Sequence, residues 1–298
     1  MKLTTKQLDR VEGVLLGTAA GDALGAGYEF GYPSAETTIG MIGGGMFDWA
    51  PGEWTDDTSM AICVARGLAD GRGLDGIAEN FAAWFDTSPA DIGVQTQKVL
   101  SSRVRSAGQM TEVAARIPGR TGGNGSLMRT APVALSFLDD PTAGAAAAMG
   151  ISALTHSDPQ AGDACRLWSE GIRYAVLHGN YDAIREGAGD WTPLLDAAES
   201  GTPSDFAKNG WVVHALQTAW WAISTTEENE DQLPAALEKC VRAGGDTDTT
   251  AAIAGGLLGA RWGASAIPND WTSMLHGYPG LRATDLAYLA RRLVGAAA

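Results

Sequence analysis

The spacing of apolar residues most constrains what this chain can fold into. They recur every three or four positions through Leu8–Leu24, Ser59–Leu68, Gly76–Phe85, Met128–Phe137, Ala161–Leu177, Val212–Ile223, Leu233–Val241, Thr250–Trp262 and Thr284–Leu293. The two-residue alternation of half-buried strands is nearly absent. Alanine, a strong helix former, is abundant in these segments. The stretches between them (GYPSAETT, PGEWTDD, TSPADIG, PGRTGGNGS, SDPQAGD) carry the Gly, Pro, Asp and Ser that punctuate helices. The pattern predicts an all-α fold of about ten or more helices of ordinary length. Hydrophobic residues make up 45% of the 298 positions, ample for a packed core. No fixed-period repeat, long linker or charge block divides the chain, so residues 1–298 are expected to form a single compact many-helix domain.

Charge and cysteine content narrow the classes of partner. There are 21 Lys and Arg against 35 Asp and Glu, a net charge of −14, which argues against direct nucleic-acid affinity and against an anionic membrane surface. Cys63, Cys165 and Cys240 lie far apart with no CxxC spacing, as expected for reduced core thiols in a cytoplasmic protein. Lys2, Lys6 and Arg10 precede an apolar opening, but Glu12 and Asp22 interrupt it, unlike a secretory leader. No segment reaches the roughly 18 apolar residues of a membrane span.

Chemistry concentrates at two acidic junctions. In GEWTDDTSM (52–60), Thr55 reads as a helix N-cap, with Asp56 and Asp57 in the first turn, where free N–H groups favour anions. GGDTDTTAAIAGG (244–256) repeats the design: Asp246 and Asp248 stand among Thr247, Thr249 and Thr250 ahead of a small-residue helix. Clustered hard oxygens suit Mg2+, Mn2+ or Ca2+ and suit zinc or copper poorly. Brought together, the two junctions would form a candidate two-metal site whose cations offset carboxylate repulsion. In GRTGGNGSLMRTAPVAL (119–135), Gly122, Gly123 and Gly125 precede a helical pattern. Such a loop can cradle a phosphate on backbone N–H groups, here with Arg129 as a supplementary cation, though alone it is more often a turn.

Other polar positions carry a functional and a plain reading side by side. Asp22 and Glu29 lie on and beyond the opening helix, where Asp22 could serve only as a cap or ion partner. His156 stands beside Ser157 and Asp158, either of which is a credible N-cap for a helix beginning near Pro159. Trp211, Trp220 and Trp221 read as core or interface aromatics. His178 and His276 lie apart from any acidic cluster and are assigned no function.

Together these motifs resemble the ADP-ribosylglycohydrolase family, which includes the dinitrogenase-reductase-activating glycohydrolases. The resemblance runs almost the whole length, through GTAAGDALGAGYEF (17–30), GGGMFDWAPGEWTDDTSM (43–60), ADIGVQT (90–96), GGNGSLMRTAPVAL (122–135), THSDPQAGDAC (155–165), GWVVHALQTAWWA (210–222) and GGDTDTTAAIAGGLLGARWG (244–263). It implies an all-α fold with a binuclear Mg2+ or Mn2+ centre in a cleft between helices. The implied metal ligands are Thr55, Asp56, Asp57, Asp246, Asp248 and Thr249, with Asp248 as the bridge. Glu29 matches a family glutamate that acts as general base or gate, and the base is left open between Glu29 and Asp57. Asn124, Gly125, Ser126 and Met128 would hold a diphosphate, His156 would face the nucleotide, Trp211 would stand on the adenosine-ribose side, and Asp91 would lie near the leaving group.

The chain departs from the pattern of the activating glycohydrolases in two places. It has Asp91-Ile92-Gly93-Val94-Gln95-Thr96 where they have Asp-Val-Gly-Asn-Thr, which displaces the amide. Trp211 and His214 stand where relatives often have Tyr or Phe and Asp. The resemblance implies hydrolysis of the glycosidic bond between ADP-ribose and an acceptor, on an ADP-ribosylated protein or a small-molecule ADP-ribose conjugate. Charge complementarity to Asp91 favours ADP-ribosyl-arginine. Serine-linked, nucleic-acid-linked or O-acetyl-ADP-ribose, a two-metal phosphoesterase and a non-catalytic ADP-ribose-binding protein remain open at this point.

Overall fold

Two helices at the centre of the molecule touch backbone to backbone. The computed structural model describes residues 2–296. Its helices are α1 (Thr5–Gly25), α2 (Asp56–Ala69), α3 (Gly73–Phe85), α4 (Val94–Leu100), α5 (Ala107–Arg116), α6 (Ala131–Ser136), α7 (Pro141–Ala153), α8 (Pro159–His178), α9 (Asp182–Glu186), α10 (Thr192–Ser200), α11 (Val212–Ser224), α12 (Gln232–Ala243), α13 (Thr247–Trp262), α14 (Asn269–Met274) and α15 (Ala283–Leu293). The fold is all-α, as the periodicity predicts. The strands among the described residues are one antiparallel pair, β1 (His276–Gly277) and β2 (Leu281–Arg282).

α1 carries glycine at positions 13, 17, 21 and 25, one every four residues and hence along one face. α13 runs antiparallel against that face. A Cβ built on Gly13 would lie 2.3 Å from the Gly259 carbonyl oxygen, on Gly17 2.2 Å from that of Gly255, on Gly21 2.1 Å from that of Ala251, and on Gly25 2.4 Å from Asp248 Cα. Every residue of α1 from Gly13 to Gly25, and of α13 from Thr247 to Ala260, is buried. α2, α6, α8, α12 and α15 pack around this hairpin. Helices wrapped on all sides need no polar face, and small residues let them approach more closely than large ones would.

Polar contacts fix both ends of the pair. At one end, the buried Arg10 donates from Nε to the Arg261 carbonyl (3.2 Å) and from Nη1 to that of Val176 (3.4 Å), satisfying the C-termini of α13 and α8. At the other end, Thr247 Oγ1 donates to the Gly25 carbonyl, 2.9 Å away, and sews the last turn of α1 to the first turn of α13. The small hairpin braces the chain just before α2. Trp54 is buried, its N–H donates to the His276 carbonyl (3.0 Å), and its indole N–H donates to that of Tyr278 (3.3 Å).

The predicted segments recur as helices with ends moved by a few residues, and one differs more. The Met128–Phe137 pattern shortens to α6 from Ala131, preceded by a 3-10 turn at Asn124–Ser126, because Pro132 lacks an N–H and belongs in a first turn. α7 (PTAGAAAAMGISA) has no counterpart among the predicted segments. Its alanines face every direction, so it offers no contrast between an apolar and a polar side.

The glycine contact makes a direct prediction. Gly17→Ala should lower unfolding free energy in urea by about 3 kcal/mol, because neither backbone can retreat from the new methyl group. Gly108→Ala on α5, where nothing lies within 4 Å of the added carbon, should be neutral or stabilising by up to about 1 kcal/mol. Equal responses at the two positions would contradict the close approach.

Candidate active site

The last turn of α1 and the N-termini of α2 and α13 converge on one cluster of carboxylates. Thr55 is the N-cap of α2, and Asp56 and Asp57 occupy its first turn. A second cap reaches in from α1: Asp22 accepts from the N–H of Thr55 and of Thr58, each 2.9 Å away. Thr55 Oγ1 stands between two acids, 3.0 Å from Asp57 Oδ2 and 3.4 Å from Asp248 Oδ2. Helix N-termini present free N–H groups and the positive ends of their dipoles, so they are where buried carboxylates cost least. Gly244 and Gly245, at φ of 76° and 72°, turn the chain sharply into α13, leaving Asp246 as its N-cap and Asp248 in its first turn.

One oxygen from each of Asp22, Asp57 and Asp248 lies within 4.8 Å of the others, and so does one from each of Glu29, Asp91 and Asp248. Asp248 belongs to both groups. Glu29 follows the 3-10 turn Ala26–Tyr28, and Asp91 sits in the loop before α4. Asp91 is also the charge that weighs most on Asp56.

Burial first, and neighbouring acids second, push these groups upward: Asp56, Asp57 and Asp248 well above the ordinary carboxylate range, Asp91 to about 6 and Glu29 to about 9. Asp22 is raised to about 6 by burial, against the opposing hydrogen bonds from Thr58 and Thr55. Asp57 Oδ1 and Glu29 Oε2 are buried with no hydrogen-bond partner among the described residues. Crowded, unpartnered hard oxygens fit divalent cations of the Mg2+, Mn2+ or Ca2+ kind.

The glycine loop abuts this cluster. Asn124 Nδ2 donates to Asp246 Oδ2 (2.7 Å) and to the Asn209 carbonyl (2.9 Å), while Asn209 Oδ1 accepts from the Asp246 N–H (3.0 Å). Backbone bonds from Asn124 to Gly210 (3.1 Å) and from Val212 to Gly122 (3.0 Å) pair the loop with the segment leading into α11. Trp211, on that segment, is 40% exposed, with its ring centroid 4.9 Å from that of His214. Gly125 is half-buried, Met128 is buried, and the Ser126 hydroxyl turns inward to accept from Ser152 Oγ (2.9 Å). His156 lies beneath the loop, 3% exposed, against Gly123 and Gly125. Thr249 is buried beside Asp248, and its N–H donates to Asp248 Oδ1 (2.8 Å).

Arg129 corrects one expectation. It is fully buried, held by Thr155 Oγ1 (2.7 Å) and stacked 4.4 Å over the Phe81 ring, so it does not reach a ligand on the loop. The displaced amide is also accounted for, since Gln95 Nε2 donates to the carbonyls of Thr121 (3.0 Å) and Thr155 (2.8 Å), tying α4 to the loop.

Three participants were not legible as such. Asp22 reads as a cap and is one, yet its other role, as a wall of the acid cluster, follows only from the α1–α13 register. The signal for it was a lone acid on a glycine-lined helix. Asn209 and Gln95 act through backbone groups distant in sequence; nothing in its local sequence marks Asn209, and Gln95 is marked only as the displaced amide, without its partners.

The chain belongs to the ADP-ribosylglycohydrolase family, whose profile matches residues 3–298. It is thus a glycosidic-bond hydrolase by family. It is 32% identical to the ADP-ribosyl-[dinitrogen reductase] glycohydrolase of Rhodospirillum rubrum, over 90% of each chain. It is also 32% identical to the ADP-ribosylarginine hydrolase Tri1 of Pseudomonas putida, over 90% of this chain and 75% of that protein. Among solved structures, an "ADP-ribosylglycohydrolase-related protein complex" superposes with a TM-score of 0.80 at 28% identity, covering 98% of this chain and 99% of that one. Among the described residues no helix is long and apolar enough to cross a membrane.

The raised carboxylates set a pH dependence. In metal-free protein they hold protons that the unfolded chain has already lost, so stability is greatest below about pH 4 on this account and falls as pH climbs through the folded values. Divalent cations bound there would replace those protons. The thermal shift between Mn2+-loaded and EDTA-treated protein should therefore widen from pH 5 to pH 8. A melting temperature indifferent to Mn2+ at pH 8 would count against a cation centre.

Proposed function

We propose that this protein is a metal-dependent hydrolase that removes ADP-ribose from arginine side chains of ADP-ribosylated proteins. The observation that carries the reading is the joining of two sites by one side chain: Asn124 links the glycine loop to Asp246 at the edge of the acid cluster. A ligand with a diphosphate on the loop would have its distal ribose over the carboxylates. The name of one relative supports a protein as the substrate, and that of the other, an ADP-ribosylarginine hydrolase, supports arginine as the acceptor. So does an acidic cleft, which attracts a guanidinium.

Thr55, Asp56, Asp57, Asp246, Asp248 and Thr249 would hold two Mg2+ or Mn2+ ions, with Asp248 shared, and Asp22 stands beside them as an additional carboxylate. When bound, such ions would supply a template for the vicinal ribose hydroxyls and Lewis-acid polarisation. Glu29 Oε2, buried and unpartnered, is the atom we assign to take a proton from the attacking water, because Asp57, whose Oδ1 is likewise unpartnered, is placed among the metal ligands. Asp91 would face the departing guanidinium. The loop would grip the diphosphate through backbone N–H groups at Gly125 and Ser126, since the Ser126 hydroxyl is turned inward and the Met128 N–H already donates to the Asn124 carbonyl (3.2 Å). Trp211, exposed at the rim, would offer a face to the adenosine side. The whole chain would act as one unit, in a reducing compartment that suits its three buried free cysteines.

Incubation with an ADP-ribosyl-arginine peptide and Mn2+ should release intact ADP-ribose. Release of AMP and ribose 5-phosphate would instead indicate phosphoester chemistry. Asp248→Ala should reduce turnover to background while helical circular dichroism is kept, because Asp248 is common to both carboxylate groups. Unchanged hydrolysis in that variant would refute the reading. A panel of arginine-, serine- and nucleic-acid-linked substrates with O-acetyl-ADP-ribose tests the acceptor directly.

A further inference from the structure

A polar chain beneath the glycine loop has no part in the chemistry above. Arg129 is fully buried and forms no ion pair with a carboxylate among the described residues. Its Nη2 donates to Thr155 Oγ1 (2.7 Å) and to the Ile151 carbonyl (3.4 Å). A guanidinium has donors only, so Thr155 is the acceptor in the first of these bonds. The threonine hydroxyl keeps one proton of its own, and its remaining partner is His156 Nδ1 at 2.8 Å. Were Nδ1 to carry the imidazole proton, Thr155 would accept twice and its own buried proton would have no acceptor. With the threonine donating to Nδ1, the Thr155 proton and the Nδ1 lone pair are both satisfied, and the imidazole proton resides on Nε2.

The direction of that N–H gives it a use. A Cβ on either Gly123 or Gly125 would lie 3.3 Å from Nε2, so the two glycines leave the ring edge uncovered on the loop side. Nε2 has no hydrogen-bond partner of its own among the described residues. Burial and the nearby Arg129 charge keep the imidazole neutral, far below its ordinary value. In one tautomer this ring presents a donor to the loop, in the other a lone pair, and an anionic ligand distinguishes the two sharply.

We propose that Arg129 and Thr155 are positioning residues that lock His156 in its Nε2–H tautomer, so that the ring offers a neutral donor past Gly123 and Gly125 to a phosphate oxygen seated on the loop. The ligand half of the proposal rests on the reading of that loop as a diphosphate site. Thr155 acts through His156 and touches no substrate.

The test reads tautomer and affinity separately. Two-bond 1H–15N correlation spectra of the ligand-free protein should show His156 with a protonated Nε2 and an unprotonated Nδ1. Thr155→Ser should keep that pattern, and Thr155→Val should lose it. Thr155→Val should also weaken ADP-ribose binding about tenfold, the scale of one hydrogen bond to a charged group, and raise KM with kcat little changed. A wild-type spectrum with Nδ1 protonated would overturn the lock even if the valine variant fails to fold. So would Thr155→Val with unaltered tautomer and affinity. The expected tautomer in a protein that binds no ADP-ribose would overturn the ligand assignment of the loop and leave the Arg129–Thr155 lock standing.

Discussion

The rest of the structure depends on the contact between α1 and α13, where glycine replaces side chain with backbone. Helices normally pack with axes held about 8–10 Å apart by their side chains. Here the carbonyls of α13 occupy the space a Cβ would take on α1, and Gly255 and Gly259 answer with the same absence toward Gly17 and Gly13. Such an interface has little freedom to slide, since each glycine admits one facing residue. That fixed register brings Asp22, one residue beyond Gly21, to the N-terminus of α2 and beside Asp248.

With the register fixed, the acid cluster becomes a matter of local electrostatics. The chain places three helix ends together, so that backbone N–H groups and two positive dipole ends oppose part of the repulsion. Two carboxylate oxygens of the cluster, Asp57 Oδ1 and Glu29 Oε2, are left without partners among the described residues. A fold seldom retains such strain in its core unless something else is to be bound there. A cation supplied from solution would oppose the remaining repulsion without a fixed lysine or arginine filling the site.

Much of this was legible in the sequence. Helical periodicity yielded the long helices, and the repeated Gly–Asp–Thr design at residues 52–60 and 244–256 marked both junctions. Thr55 as the N-cap of α2 followed from capping preferences, which left that of α8 between Ser157 and Asp158, and the structure has Asp158. What escaped notice had a common physical cause. α7 lacks amphipathic contrast, Gln95 and Asn209 bond to distant carbonyls and side chains, and Arg129 reads as a supplementary cation for the loop because nothing local announces that Phe81 and Thr155 will enclose it. Sequence periodicity reports which face of an element is buried, whereas these residues depend on what that face meets.

The bond between Asn124 and Asp246 has a thermodynamic meaning beyond its geometry. One amide proton is shared between the segment that would receive an anion and the junction that would receive cations. Any free energy by which occupancy of one side alters that bond must reappear, equal in size and sign, in the affinity of the other. With both sides binding as proposed, the two halves of the cleft would be linked equilibria, and the apparent affinity for either kind of ligand would depend on the concentration of its counterpart.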